Sequence, residues 1–183
     1  MMGFGFAATA AMGAEVRGRA LVASDGFSSR YDLDRIAGVF SRPEHKLAGR
    51  SCVGVVLILD RAKGGVATAW MLYEMAARGI VPAALVFNTV NPIMVQGSAF
   101  GGCCMMSGFD VDITTAIPDE ATVELDPTAD PPMLRVIDMG TAATGCATRP
   151  YRRCLAAPYG PVSACRRPAR NAGYRAPPGP IGA

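Results

Sequence analysis

The most apolar run in the chain, VGVVLILD at residues 53–60, carries valine, leucine and isoleucine without polar alternation. A strand buried on both faces reads that way, because neither side meets water. After RAKGG at 61–65 the pattern changes to ATAWMLYEMAAR at 67–78. Strong helix formers fill that segment, Arg78 stands in its last turn, Gly79 marks the expected stop and Pro82 follows. The segment is therefore predicted to be a helix. AALVFN at 83–88 then reads as a second apolar strand. Strand, helix and strand in this order make a βαβ unit, whose crossover is right-handed when both strands share a sheet.

The flanks are shorter. GRALVAS at 18–24 has the composition of a strand, DGFSSRYDLD at 25–34 that of a polar loop, and PEHKLAG at 43–49 that of a turn. Asn88–Pro92 reads as a turn leading into a short helix over Ile93–Phe100. ATVEL at 121–125 and MLRVI at 133–137, separated by DPTADPP, read as a closing hairpin. The fold class is α/β with at least one βαβ unit. The start, MMGFGFAATAAMGA, is small and apolar, and its first positive charge is Arg17. Without a basic n-region it reads as an N-terminal extension over 1–16, with a secretory signal the lesser alternative. No run approaches the ~18 uninterrupted apolar residues of a membrane-spanning helix, so no membrane partner is expected.

Composition changes this picture in two places. Half of the 183 residues are apolar and only 18% are charged, enough for one core, with some apolar surface left for a partner subunit. The net charge of +3 is unevenly spread: Gly145–Ala183 holds seven arginines and no acid, leaving 11 basic against 15 acidic groups in residues 1–144. The folded part therefore lacks a basic footprint, and no nucleic-acid partner is expected. Ala, Arg, Gly and Pro supply 27 of the 39 residues from Gly145 onward. Such a segment buries too little apolar surface to offset its ordering entropy, and a disordered basic tail over 139–183 is predicted. A shifted reading frame of a GC-rich gene gives the same bias; the intact mass of the native protein separates the two.

The residues best placed for chemistry lie in the turn after the first buried strand. In an open α/β sheet, ligands sit beyond the carboxyl ends of strands, where loops enter helices. Gly64 and Gly65 allow close backbone approach. The N–H groups around Val66, Ala67 and Thr68 open the helix and favour an anion, and Lys63 adds a full positive charge. Together they suit a small carboxylate or phosphate. The spacing matches neither a Walker A loop nor a GxGxxG fingerprint. The alternative is a tight βα connection with a solvated lysine.

Other candidates are weaker. His45, the sole histidine, is expected to be an exposed turn residue, and no GxSxG elbow accompanies it. Asp110 and Asp112 could hold a cation but read better as a solvated strand edge. Ser28, Ser29, Arg30 and Tyr31 could order a substrate from one loop, or be simple surface. Trp70, Met71 and Met75 are assigned to packing. The six cysteines, Cys52, Cys103, Cys104, Cys146, Cys154 and Cys165, form no CxxC pair and suggest no metal site in this chain. They fit reduced thiols in a cytoplasm.

Several segments in their order and spacing resemble the small, swivel-domain subunit of the aconitase X family. They are GRALV, FSSRYDLD at 27–34, HKLAG at 45–49, VGVVLILD with RAKGGVATAW, and RGIVPAALVFNTVNPIMVQGSAFGG at 78–102. The resemblance covers about Gly18–Ile137 and bounds a domain at 17–138. It implies a swivelling, β/α-barrel-like domain that pairs with a large subunit bearing an iron–sulfur cluster. The implied activity is dehydration of a small hydroxy acid, with cis-3-hydroxy-L-proline the favoured substrate and phosphomevalonate the other known one. The cluster iron would polarise the leaving hydroxyl. The family commonly carries Lys–Gly–Ser in this turn, the serine accepting a proton. Lys63 and Gly64 match that motif, but Gly65 stands at the serine position and has no side chain to take a proton. The base then comes from the large subunit, from Lys63 if desolvation lowers its pKa, or from Thr68 activated by a neighbour, in that order. A non-catalytic module that binds a small acid or docks a partner is the competing reading.

Overall fold

The structure, a computed structural model, describes residues 4–140. Nearly all of the tail singled out above therefore lies outside the described residues. In chain order the elements are β1 (Phe4–Met12), β2 (Val16–Ala23), α1 (Ser29–Asp32), β3 (Leu33–Asp34), β4 (Val39–Phe40) and β5 (Val56–Arg61). Then come α2 (Val66–Ala77), β6 (Ala84–Thr89), α3 (Pro92–Gly101), β7 (Cys104–Phe109), α4 (Ile113–Ala116), β8 (Thr122–Asp126) and β9 (Met133–Asp138).

Seven strands close a barrel in the order β1, β7, β6, β5, β2, β8, β9, with β9 pairing back onto β1. β2, β5, β6 and β7 run parallel, whereas β1, β8 and β9 pair antiparallel with their neighbours. The predicted βαβ unit is β5–α2–β6, and α3 repeats the crossover from β6 to β7. The closing hairpin is β8–β9.

The double burial expected of residues 53–59 has a simple origin. Val56 and Ile58 join a cluster drawn from all seven strands, including Ala84, Val86, Val123 and Leu134, which fills the barrel interior. Leu57 and Leu59, on the other pleat face, join Leu85, Phe87, Leu72 and Met94 beneath the helices. Alternate residues thus serve two cores, and neither face of the strand needs polar side chains. Burying a leucine of this kind contributes about 1.5–3 kcal/mol.

α2 buries Thr68, Ala69, Leu72 and Met75 along one stripe. It ends where predicted: Arg78 caps it and Gly79 follows at φ 72, a left-handed conformation that glycine adopts without a Cβ penalty. α3 packs closely across it at Gly97, where an added Cβ would lie 2.8 Å from the Ala69 Cα. The Asn91 side chain accepts from the Met94 N–H at 2.8 Å, and Pro92 opens α3.

One boundary differs from the sequence reading. Residues 4–12 do not belong to an extension; they form β1, which pairs with β7 and β9 and seals the barrel. Its sequence, FGFAATAAM, is rich in alanine and lacks the β-branched alternation that marks a strand. Pairing on both edges supplies what local propensity does not. β7, CMMSGF, likewise lacks that alternation and is held by pairing with β6 and β1.

Candidate active site

β5 delivers the chain to the turn, and loops from both neighbouring strands hold it there. The loop after β2 contributes Phe27, whose N–H donates to the Arg61 carbonyl at 2.8 Å and whose carbonyl accepts from the Lys63 N–H at 2.6 Å. From the other side, the Ala62 N–H donates to the Thr89 carbonyl at 2.9 Å, and the Asn91 side-chain amide donates to the Ala62 carbonyl at 3.2 Å. These bonds consume the backbone groups up to Lys63. Those beyond it are left for other use.

Gly64 follows at φ 105, a conformation that favours glycine. A Cβ there would overlap the Thr68 hydroxyl and come within 2.9 Å of Ser28 Oγ. Gly65, the residue that caps α2, is extended at φ −115 and ψ −161, and no atom lies within 4 Å of a Cβ built on it. It offers no side chain to cap the helix. The Thr68 N–H turns back to the Gly65 carbonyl at 2.8 Å, while those of Val66 and Ala67 find no acceptor among the described residues. Two free amides at the positive end of a 12-residue helix therefore stand beside an open space. The exposed Lys63 side chain lies across Gly26, where a Cβ would collide with its Cε and stand 2.7 Å from Nζ.

Behind the turn sits a polar layer. Ser28, Ser29, Asp32, His45 and Thr68 are all buried, at 5% exposure or less. Ser28 Oγ and Thr68 Oγ1 share a hydrogen bond of 3.1 Å, Ser29 Oγ donates to the Thr68 carbonyl at 2.8 Å, and the Ser28 N–H donates to Asp32 Oδ2 at 2.7 Å. The other Asp32 oxygen accepts from Arg42 at 3.4 Å. Ser28 and Ser29 are thus not surface residues. β2 runs parallel to β5, so the loops after both strands emerge at one edge. Recognising that pairing in the sequence would have placed the two serines at the turn. Arg30 and Tyr31 point outward, with the guanidinium 5.6 Å from the exposed Tyr31 ring.

His45 corrects a second expectation. It is 5% exposed and stacks on Phe40 at 4.6 Å between ring centroids. Its Nδ1 accepts the Leu47 N–H at 3.1 Å, which leaves the proton of the neutral ring on Nε2, a buried atom without a partner. Burial pushes its pKa below the usual histidine value, against the pull of Asp32 and Asp25. Asp112 caps α4, accepting from the Thr114 N–H at 2.9 Å and from Asn88 at 2.7 Å. Its role here is structural, and these donors hold its carboxyl below the usual range. Met75 is buried as assigned, but Trp70 is 62% exposed and Tyr73 50%. With Val66, at 61%, they form an apolar row running down α2 from the turn.

The aconitase X swivel domain model matches residues 6–131, well over half of the sequence. The chain belongs to the aconitase X swivel domain family. Its relatives include a protein of Methanocella arvoryzae named phosphomevalonate dehydratase small subunit, 30% identical over 117 residues, covering 64% of this chain and 89% of the relative. A protein of the same name from Methanopyrus kandleri is 30% identical over 112 residues, covering 61% and 83% respectively. The fold matches Thermococcus kodakaraensis aconitase X in its holo-form with a TM-score of 0.67 at 19% identity, covering 74% of this chain and 99% of that one. A UPF0107 protein solved by NMR in solution matches at 0.65 and 21% identity, over 74% of this chain and all of that one, 100%. These two likenesses speak to the barrel alone.

Aconitase X-type dehydratases are in general iron–sulfur enzymes, and the described residues of this chain do not fit a cluster. Burial pushes the thiols of Cys52, Cys103 and Cys104 up to about 12, whereas a cluster needs reachable thiolates. Nor do three His, Cys, Asp or Glu side chains converge anywhere among the described residues. No described helix is long and apolar enough to cross a membrane.

Proposed function

We propose that this chain is the small subunit of an iron–sulfur-dependent hydro-lyase, gripping the acid group of a small hydroxy acid in the Lys63–Ala67 turn while a large subunit closes over it. The observation that carries this reading is the pair of unpartnered amides, Val66 and Ala67, opening α2 beside Lys63 and the open space at Gly65. The names of the relatives support the dehydratase assignment and the existence of a large subunit. The apolar row Val66, Trp70 and Tyr73, leading away from the turn, is a face such a partner would cover. The cluster belongs to that partner in this reading, since the described cysteines do not fit it. The three buried free thiols support a reducing, cytoplasmic compartment.

Dehydration of a hydroxy acid removes a proton from the carbon next to the carboxylate, and negative charge grows on the carboxylate oxygens as it leaves. Donors already aimed at those oxygens stabilise that charge without reorganising. The Val66 and Ala67 N–H groups and the Lys63 ammonium fill this role. Where closure of the partner strips its water and leaves a neutral amine, Lys63 serves instead as the proton acceptor within this chain. Thr68 is poorly suited: its hydroxyl is hydrogen-bonded to another hydroxyl, Ser28 Oγ, with no carboxylate or imidazole to pass a proton to. The partner remains the first candidate for the base, Lys63 the second.

The relatives' names put 5-phosphomevalonate ahead of cis-3-hydroxy-L-proline as the first substrate to assay. The test is co-expression with a large subunit, purification without oxygen, and assay of both acids. Turnover of either supports the reading. A cluster-loaded complex that binds both acids but turns over neither favours the acid-binding module, which the missing serine at Gly65 would suit.

A further inference from the structure

Two hydroxyls under the turn have more protons than the fold uses. Ser28 and Thr68, 3% and 1% exposed, share one hydrogen bond of 3.1 Å. Whichever oxygen donates, the other hydroxyl keeps its own proton, and no acceptor for it exists among the described residues. Nor does the loop depend on the pair for its shape. The Ser28 amide is held by Asp32 and the first turn of α2 is held by Ser29, through groups other than these two hydroxyls. Both oxygens press against Gly64, one residue from the open space at Gly65.

We infer that the Ser28–Thr68 hydroxyl pair is a further ligand-contacting part of the turn, donating a hydrogen bond from its unspent O–H to an oxygen of the bound acid that enters beside Gly64 and Gly65. This rests on the turn being an acid-binding site. The pair acts as a donor and not as a base, because its chain of hydrogen bonds ends at two hydroxyls of similar acidity. A carboxylate oxygen accepts such a proton well, and a charge-assisted bond of this kind tightens binding. The assignment gives Thr68 a partner and changes its role from proton acceptor to hydrogen-bond donor. It also brings in Ser28 from a different strand end.

The test uses the full chain labelled for amide NMR and titrated with (R)-mevalonate, a hydroxy acid with a carboxylate. The amides of Val66, Ala67 and Thr68 are expected to shift. Thr68→Val and Ser28→Ala are each expected to weaken binding about tenfold to 100-fold, the value of one hydrogen bond to a charged acceptor. Thr68→Ser, which keeps the hydroxyl, is expected to stay within about twofold. The spectrum itself reports whether each variant folds, and Ser28→Ala carries the comparison if Thr68→Val does not. Unchanged affinity in the variants overturns the inference, as does a wild-type chain whose turn amides do not move. In the assembled enzyme the same variants are expected to raise KM, with kcat lowered at most about tenfold. A collapse of kcat at unchanged KM would mark a proton acceptor and overturn the donor role. Turn amides that respond to mevalonate in a chain whose complex turns over neither acid would remove the dehydratase reading and leave this one standing.

Discussion

The two halves of the barrel share one interior yet divide the labour. The parallel half, β2, β5, β6 and β7, ends in loops that hold the groups of the turn: Ser28, Lys63, Gly65 and the α2 amides. The antiparallel half, β1, β8 and β9, supplies Ala8, Val123, Leu125, Leu134 and Val136 to the interior and no candidate group to the turn. The difference follows from connectivity. A parallel strand must be followed by a crossover, and the crossover helix α2 opens with two free amides at this edge, whereas α3 opens on Pro92 and is capped by Asn91. An antiparallel hairpin returns directly and presents no helix terminus. Function gathers where backbone donors are left over, and closure of the barrel is left to strands that have none to spare.

The sharpest way to break this division is to remove one residue from each half. Lys63→Ala, in the assembled enzyme, is expected to lower kcat/KM about 10²–10³-fold, the scale of losing one donor to a developing anion. The melting temperature is expected to stay close to wild type, because the side chain is exposed. Leu134→Ala should do the reverse. Leu134 is fully buried at 0%, and its truncation is expected to cost about 2–5 kcal/mol of stability, read by denaturant unfolding. The folded fraction should keep its kcat/KM. Loss of activity in both variants at equal folded fraction would show that the halves are not separable.

The sequence made the parallel half legible and the antiparallel half only partly so. β5 and β6 announce themselves because each serves two cores and needs no polar residue. Gly79 and Asn91 mark the ends of their helices through local backbone chemistry that any context preserves. β1 left no such mark: its alanines fit a barrel wall but also fit a loose terminus, and only pairing with β7 and β9 decides between them. The site was legible in the same uneven way. Lys63–Thr68 is contiguous and could be read directly. Ser28 and His45 belong to loops whose burial depends on what packs above them, which one-dimensional pattern does not encode. His45 stands in a Pro–Glu–His–Lys turn of polar neighbours, yet its ring is drawn inward by Phe40.

The two glycines of the turn sharpen the comparison within a single dipeptide. Gly64 has φ 105 and is packed on two hydroxyls, whereas Gly65 is extended and open. Gly64→Ala is therefore expected to cost about 1–3 kcal/mol in stability from the backbone conformation alone, and to displace Thr68 and Ser28. Gly65→Ala should be tolerated within about 0.5 kcal/mol. Equal destabilisation in the two variants would contradict the open space on which the acid site rests. Gly65→Ser tests the chemistry as well, since it places a hydroxyl where the family commonly carries one. A rise in kcat there would identify proton removal as the step this chain performs poorly alone.

The smallest effect is the acid sensitivity of His45. Its pKa in the folded chain lies below the unfolded value of about 6.5 because burial disfavours the charged ring. At pH below about 6.5 the unfolded chain therefore binds more protons than the folded one, and stability falls as pH drops through that value toward the folded pKa. Above about pH 7 both states are neutral at this residue and the contribution is constant. The shifted carboxylates Asp34, Asp60, Asp112 and Asp126 are all lowered from 3.8 and do not titrate in the same window. His45→Phe keeps the stack on Phe40 and removes both the titration and the unpartnered Nε2 proton. It is expected to flatten the decline in melting temperature between pH 7 and 5.5. It should also cost little at neutral pH, because the Leu47 amide that loses its acceptor is offset by the buried donor that disappears with it. An unchanged slope in this variant would assign the acid sensitivity to other groups and leave the burial of His45 without a role in it.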